Sequence, residues 1–115
     1  MDPQPIPSHQ RAVRVAATGE WFQVGEQARV DLTTRRSLRR ILAHLLKMRQ
    51  RHAGQARSVR QLVAAGWPGE RMLAKSGADR VYTAIRTLRR FGLEDILLTH
   101  NGGYMLHPDL EIVAV

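Results

Sequence analysis

The chain has 115 residues, no cysteine, 18 Lys+Arg against 10 Asp+Glu, and a formal net charge of +8. That length fits one domain with a core of its own, and 43% hydrophobic residues argue against wholesale disorder. The composition excludes a disulfide scaffold, a thiolate zinc site and a Cys nucleophile, and no apolar run approaches the roughly 20 residues of a membrane span.

Residues 1–10, MDPQPIPSHQ, hold three of the five prolines and read as a disordered tail or linker, without the basic and apolar blocks of a signal peptide. Residues 11–115 read as one domain. Ala12–Ala16, Trp21–Val24 and Ala28–Leu32 are strand-like runs separated by Thr18-Gly19-Glu20 and Gly25-Glu26-Gln27, which predicts an antiparallel meander. A helix follows, with apolar positions at Leu38, Ile41, Leu42, Leu45, Leu46 and Met48. Thr33, Thr34 or Ser37 is the expected cap, and Gly54 the expected end. Ser58 and Gln61 have capping-box spacing and open a short helix ending near Gly66. Trp67-Pro68-Gly69 is a break. One helical turn is expected over Glu70–Lys75, stopped by Ser76-Gly77. The next helix is expected from about Ala78 to Phe91, with Gly92 as its stop. Ile96–His100 and Tyr104–His107 flank Asn101-Gly102-Gly103, a strong hairpin signal. A last strand over Leu110–Val115 is expected to return to the N-terminal sheet. The fold class implied is α+β.

The charge is clustered. Between Leu32 and Gly69 there are nine cations (Arg35, Arg36, Arg39, Arg40, Lys47, Arg49, Arg51, Arg57, Arg60) and no Asp or Glu. Ordinary solvated surfaces mix both signs, so this stretch looks like an electrostatic footprint for a polyanion. On a helical wheel, Val81, Ile85 and Leu88 share one face of the 78–91 helix, and Thr83, Arg86 and Arg90 lie opposite. Arg80 and Thr87 flank that outer face on one side, Tyr82 and Arg89 on the other. A helix with one apolar face to dock it, and one face of short polar and forked basic side chains, suits a DNA groove about 12 Å wide.

The order strands, helix, short helix, helix, hairpin is the winged helix-turn-helix plan. The run from Arg80 to Arg90, followed by Leu98–Leu106 with Gly103-Tyr104-Met105-Leu106, resembles the C-terminal effector domain of OmpR/PhoB-type response regulators over about residues 11–107. Three features depart from that pattern. Thr33-Thr34-Arg35-Arg36-Ser37 lacks the expected Glu, Tyr82 replaces an acid, and the Trp67–Asp79 connection is long. The resemblance implies a bacterial, cytoplasmic transcription regulator that binds double-stranded DNA, with the 78–91 helix in the major groove and the 96–107 wing on the flanking backbone or minor groove. It matches Thr83, Ala84 and Thr87 to positions facing the groove. Combined with the wheel, Arg80, Thr83, Arg86, Thr87 and Arg90 are expected to touch DNA. Arg36, Arg39, Arg60 and Arg89 are expected to hold phosphates, and His100 and Asn101 to act from the hairpin tip. RNA polymerase, an upstream sensor domain and a second copy on DNA are further candidate partners. The rival reading is a protein-interaction module that uses the long loop and the altered first helix. A third is RNA or single-strand binding.

Other constellations carry little. The aromatic residues Trp21, Phe22, Trp67, Phe91 and Tyr104 are spread over separate elements and read as core rather than a stacking platform. His44 and His52 are eight apart and form no metal set with His9, His100 or His107. Glu94-Asp95 diverge as sequence neighbours. Asn101-Gly102-Gly103 lacks the Lys-Ser/Thr of a phosphate loop. Neither a cofactor, a metal nor an enzymatic activity is expected, and no membrane partner.

Overall fold

The computed structural model describes residues 12–115; the expected tail over residues 1–10 lies outside them. The meander forms as β1 (Val13–Val15), β2 (Trp21–Val24) and β3 (Val30–Asp31). The last segment forms β7 (Ile112–Ala114), which lies parallel to β1, with Val13 opposite Ile112. The sheet order is β3-β2-β1-β7. Alternation along β1 turns Val13 and Val15 into the core and Arg14 out to solvent, as period-2 geometry requires.

Helix α1 (Arg36–His52) buries Leu38, Ile41, Leu42, Leu45 and Leu46. Its start corrects the expected cap. Arg35 occupies the N-cap position with no side-chain bond, and Thr33 is engaged elsewhere: its backbone N–H and its hydroxyl both donate to Asp31 Oδ1, at 2.8 and 2.5 Å. These two bonds favour the carboxylate and hold Asp31 below its usual pKa.

Helix α2 (Val59–Gly66) opens on the expected capping box. Ser58 Oγ accepts from Gln61 N at 3.1 Å, and Ser58 N donates to Gln61 Oε1 at 2.9 Å. Helix α3 runs over Ala74–Leu88, four residues earlier than the expected start at Ala78, and no helical turn covers residues 70–73. Gly77, expected as a stop, lies inside the helix. A Cβ there would meet Val63 Cγ2 at 3.0 Å, so the glycine allows α2 and α3 to approach closely. Beyond Leu88 a π-type turn over Arg89–Leu93 is kinked at Gly92, whose φ of 135° a side chain rarely tolerates.

The hairpin forms as β5 (Leu97–His100) and β6 (Gly103–Leu106). Asn101 (φ 49°) and Gly102 (φ 74°) both have positive φ, as a type I′ turn requires. An unanticipated two-residue strand, β4 (Arg57–Ser58), pairs with β6, giving a second sheet in the order β4-β6-β5. The result is a three-helix α+β fold whose apolar side chains form one cluster reaching from Val13 to Leu106. Among the described residues no helix is long and apolar enough to cross a membrane.

Arg49 joins the two ends of this fold. Although it lies in the basic run, its guanidinium donates to the carbonyls of His107 (3.1 Å), Pro108 (3.3 Å) and Leu110, tying the approach to β7 onto α1. The start of α1 shows the opposite economy. Arg36, Arg39 and Arg40 crowd the positive end of the helix dipole, and the first turn holds no acid. Charges at a helix terminus are worth about 0.3–1 kcal/mol each. Arg36→Glu should therefore raise the thermal unfolding midpoint by several degrees, at about 4–8 °C per kcal/mol in a small domain. An unchanged or lower midpoint in calorimetry would contradict this.

Candidate nucleic-acid interface

Helix α3 docks by Gly77, Val81, Ala84, Ile85 and Leu88, all buried. Its opposite face presents Thr83, Arg86 and, on the following turn, Arg90, all exposed; Asp79 and Tyr82 are exposed beside them. Among the described residues Arg86 and Arg90 have no ion-pair partner. Ala84, which the family resemblance matches to a groove-facing position, is instead only 4% exposed and belongs to the core. Its neighbour Thr87 is half-buried, and its hydroxyl donates to the Thr83 carbonyl at 2.9 Å.

The other expected contacts separate into free and engaged groups. Arg80 lies 3.2 Å from Glu70 Oε1, with its guanidinium 5.7 Å from the Trp67 ring. Both partners of this ion pair are half-exposed, so water screens it and it can be exchanged cheaply. Arg89 is committed more firmly. Its Nε and Nη2 donate to the Leu97 carbonyl at 3.0 and 2.8 Å, and Nη2 also donates to Thr99 Oγ1 at 2.9 Å. The guanidinium also lies 5.7 Å from the Tyr104 ring. Arg89 therefore fastens β5 to the end of α3 and sets the position of the hairpin relative to the helix. Arg39 lies 3.8 Å from Glu20, while Arg36 and Arg60 are exposed without an ion pair among the described residues.

Between α3 and the hairpin runs an open cleft of about 580 Å³, lined by Tyr82, Ile85, Arg86, Arg89, Arg90, Glu94 and Tyr104. On the other flank of α3 a groove of about 370 Å³ is lined by Ser37, Trp67, Asp79, Arg80, Thr83 and Ala84. Arg86 and Arg90 are thus brought together with the hairpin on one side of α3, and Arg80 and Thr83 with the start of α1 on the other. His100 and Asn101 are exposed at the hairpin tip. Among the described residues no three His, Asp or Glu side chains are grouped to hold a metal. Compared with known protein families, curated proteins and solved structures, the chain shows no match.

One side-chain pair near the interface escaped the sequence pattern. Arg57 Nε on β4 donates to His44 Nε2 on α1 at 3.0 Å, linking the hairpin sheet to the first helix. Thirteen residues separate the two in sequence, so no helical or strand period signals the contact. The bond requires a neutral imidazole with Nε2 bare. Desolvation by burial, then the charges of Arg57 and Lys47, hold His44 below its usual pKa of 6.5. The unfolded chain thus binds this proton more readily than the folded one, and stability rises with pH in that range. The contribution of His44 is complete above pH 6.5 and is lost as pH falls below that value. The stability difference between wild type and His44→Gln, read from denaturant midpoints, should shrink on acidification from pH 7 to 5. A difference that is constant or grows would contradict the assignment.

Proposed function

We propose that the chain is a winged helix-turn-helix module that binds double-stranded DNA and regulates transcription in the cytoplasm. In this reading α2 and α3 are the helix-turn-helix pair, α3 lies in the major groove, and the β5–β6 hairpin is the wing. The observation that carries it is the polarity of α3. One face is sealed in the core, and the other offers Thr83, Arg86 and Arg90 to solvent beside a hairpin with an exposed tip. Arg86 and Arg90 are the candidates for guanine edges, because a guanidinium fork matches O6 and N7. Thr83 suits a thymine methyl or a phosphate. Arg36 and Arg60, exposed and without an ion pair among the described residues, can take phosphates, and Arg80 can join them by exchanging Glu70 for a phosphate. Arg89 acts here as a positioning residue that holds the wing, since its donors already meet Leu97 and Thr99.

A second reading, a protein-docking module, is favoured by Leu73, which is 79% exposed at the start of α3 beside the Trp67–Leu73 connection. A large apolar side chain left in water is the ordinary anchor of a protein contact.

The test is fluorescence anisotropy of a labelled duplex at several salt concentrations. If about six phosphates are neutralised, log affinity should fall against log salt with a slope near −5. On a duplex selected from random sequence, Arg86→Ala and Arg90→Ala should each cost about 1–3 kcal/mol, and less on unselected duplex. Absence of binding at about 50 mM salt, or affinity independent of salt, would refute the DNA reading. Equal losses on every sequence would reduce both arginines to phosphate contacts.

A further inference from the structure

The charge on α1 exceeds what the α3 interface uses. Arg40, Lys47 and Arg51 are exposed and lie in one row. At about 100° per residue they fall within about 40° of each other on the helix, separated along its axis by about 10 Å and about 6 Å. The row therefore spans about 16 Å, roughly half of one duplex turn. The row faces away from the core, because Leu38, Ile41, Leu42, Leu45 and Leu46 occupy the opposite side of the helix.

The surroundings of this row narrow the class of partner. No acid occurs in α1. Beside the row, Ala43 and His44 are half-buried and Gln50 is exposed. Among the described residues no large exposed apolar side chain stands there to anchor a protein contact or to enter a lipid layer; Leu46, which lines the groove, is buried. The row has only charge to offer, and a regular polyanion is the ligand that charge alone can hold. Like charges four apart, as at Arg36 and Arg40 or Lys47 and Arg51, destabilise a free helix. A neighbouring line of phosphates would remove that repulsion.

The row is also separate from the α3 face. Two grooves flank it, of about 520 Å³ beside Arg40 and about 420 Å³ beside Lys47 and Arg51. The first is walled by Thr18 and Glu20 of the β1–β2 turn and Ala65 at the end of α2, the second by Ala17; Glu20 is paired with Arg39 rather than with the row, and no residue lining either groove also lines the clefts around α3.

We infer that the outer face of α1, through Arg40, Lys47 and Arg51, is a second and sequence-independent nucleic-acid surface, which allows one chain to hold two duplex segments at once. The inference rests on the DNA reading of α3, and its test separates the two. Duplexes of about two helical turns, half with a donor dye and half with an acceptor, are mixed with the full chain at about 50 mM salt. Energy transfer reports bridging, and anisotropy of a single labelled duplex reports the α3 site. The wild type should give transfer that fades by about 200 mM salt, more steeply than the single-duplex anisotropy does, because transfer needs both surfaces occupied. The combined variant Arg40→Gln, Lys47→Gln, Arg51→Gln should abolish transfer and change single-duplex affinity by less than about threefold. Arg86→Ala with Arg90→Ala should weaken both signals.

Single-duplex binding by the wild type without transfer would overturn the second surface and leave the first intact. So would transfer that survives in the α1 variant, including transfer carried by dimers seen in sedimentation. A loss of single-duplex affinity in the α1 variant as large as that of Arg86→Ala would merge the two surfaces into one, which also overturns the inference. Failure of the wild type to bind any duplex would remove both readings together.

Discussion

The seam that joins α3 to the rest of the molecule decides everything its outer face can do. Val81, Ala84, Ile85 and Leu88 belong to the same core as Leu38, Ile41, Leu42 and Leu45 on α1 and Leu62 on α2. Burying a Val, Ile or Leu side chain contributes about 1.5–3 kcal/mol, so Val81, Ile85 and Leu88 together supply roughly 5–9 kcal/mol. That is comparable with the whole stability of a small domain, about 5–15 kcal/mol. A rotation of α3 by one residue would expose this face and is therefore forbidden. The outward direction of Thr83, Arg86 and Arg90 follows from what is buried behind them.

Arginine serves two ends in this chain, and net charge alone does not separate them. Arg49, Arg57 and Arg89 act as internal fasteners. Each spans two elements and donates across them: to three carbonyls before β7, to an imidazole on α1, and to a carbonyl with a hydroxyl on β5. A guanidinium suits this work because its donors are fixed in a fork and it remains charged. Arg36, Arg40, Arg51, Arg60, Arg86 and Arg90 are exposed instead. The fasteners hold the hairpin and the C-terminal strand in place, and the exposed group supplies the field that a polyanion would meet.

Local chemistry made much of the fold legible. Asn101-Gly102 permits the positive φ values of its turn, Ser58 and Gln61 satisfy one another's backbone donors, and the period of α1 identifies its buried face. What stayed hidden depends on neighbours distant in sequence. Gly77 reads as a helix stop until Val63 is seen against it, after which the spacing Gly77, Val81, Ala84, Ile85, Leu88 extends the buried face back by one turn. Strand β4 has two residues, too few to carry a period, and exists because β6 offers it an edge. Thr33 has the composition of a cap but finds Asp31 first. For the candidate site, the wheel anticipated the exposure of Thr83, Arg86 and Arg90. The burial of Ala84 and the engagement of Arg89 required the third dimension.

The polarity of α3 has one direct consequence in solution. Backbone amide shifts recorded while unlabelled duplex is added to isotope-labelled protein report contact residue by residue. Contact through the exposed face of α3 and the hairpin tip predicts shifts centred on residues 80–90 and 99–103, with Val81, Ile85 and Leu88 moving least within the helix. Shifts confined to residues 66–78, or none at duplex concentrations well above those of the protein, would contradict it.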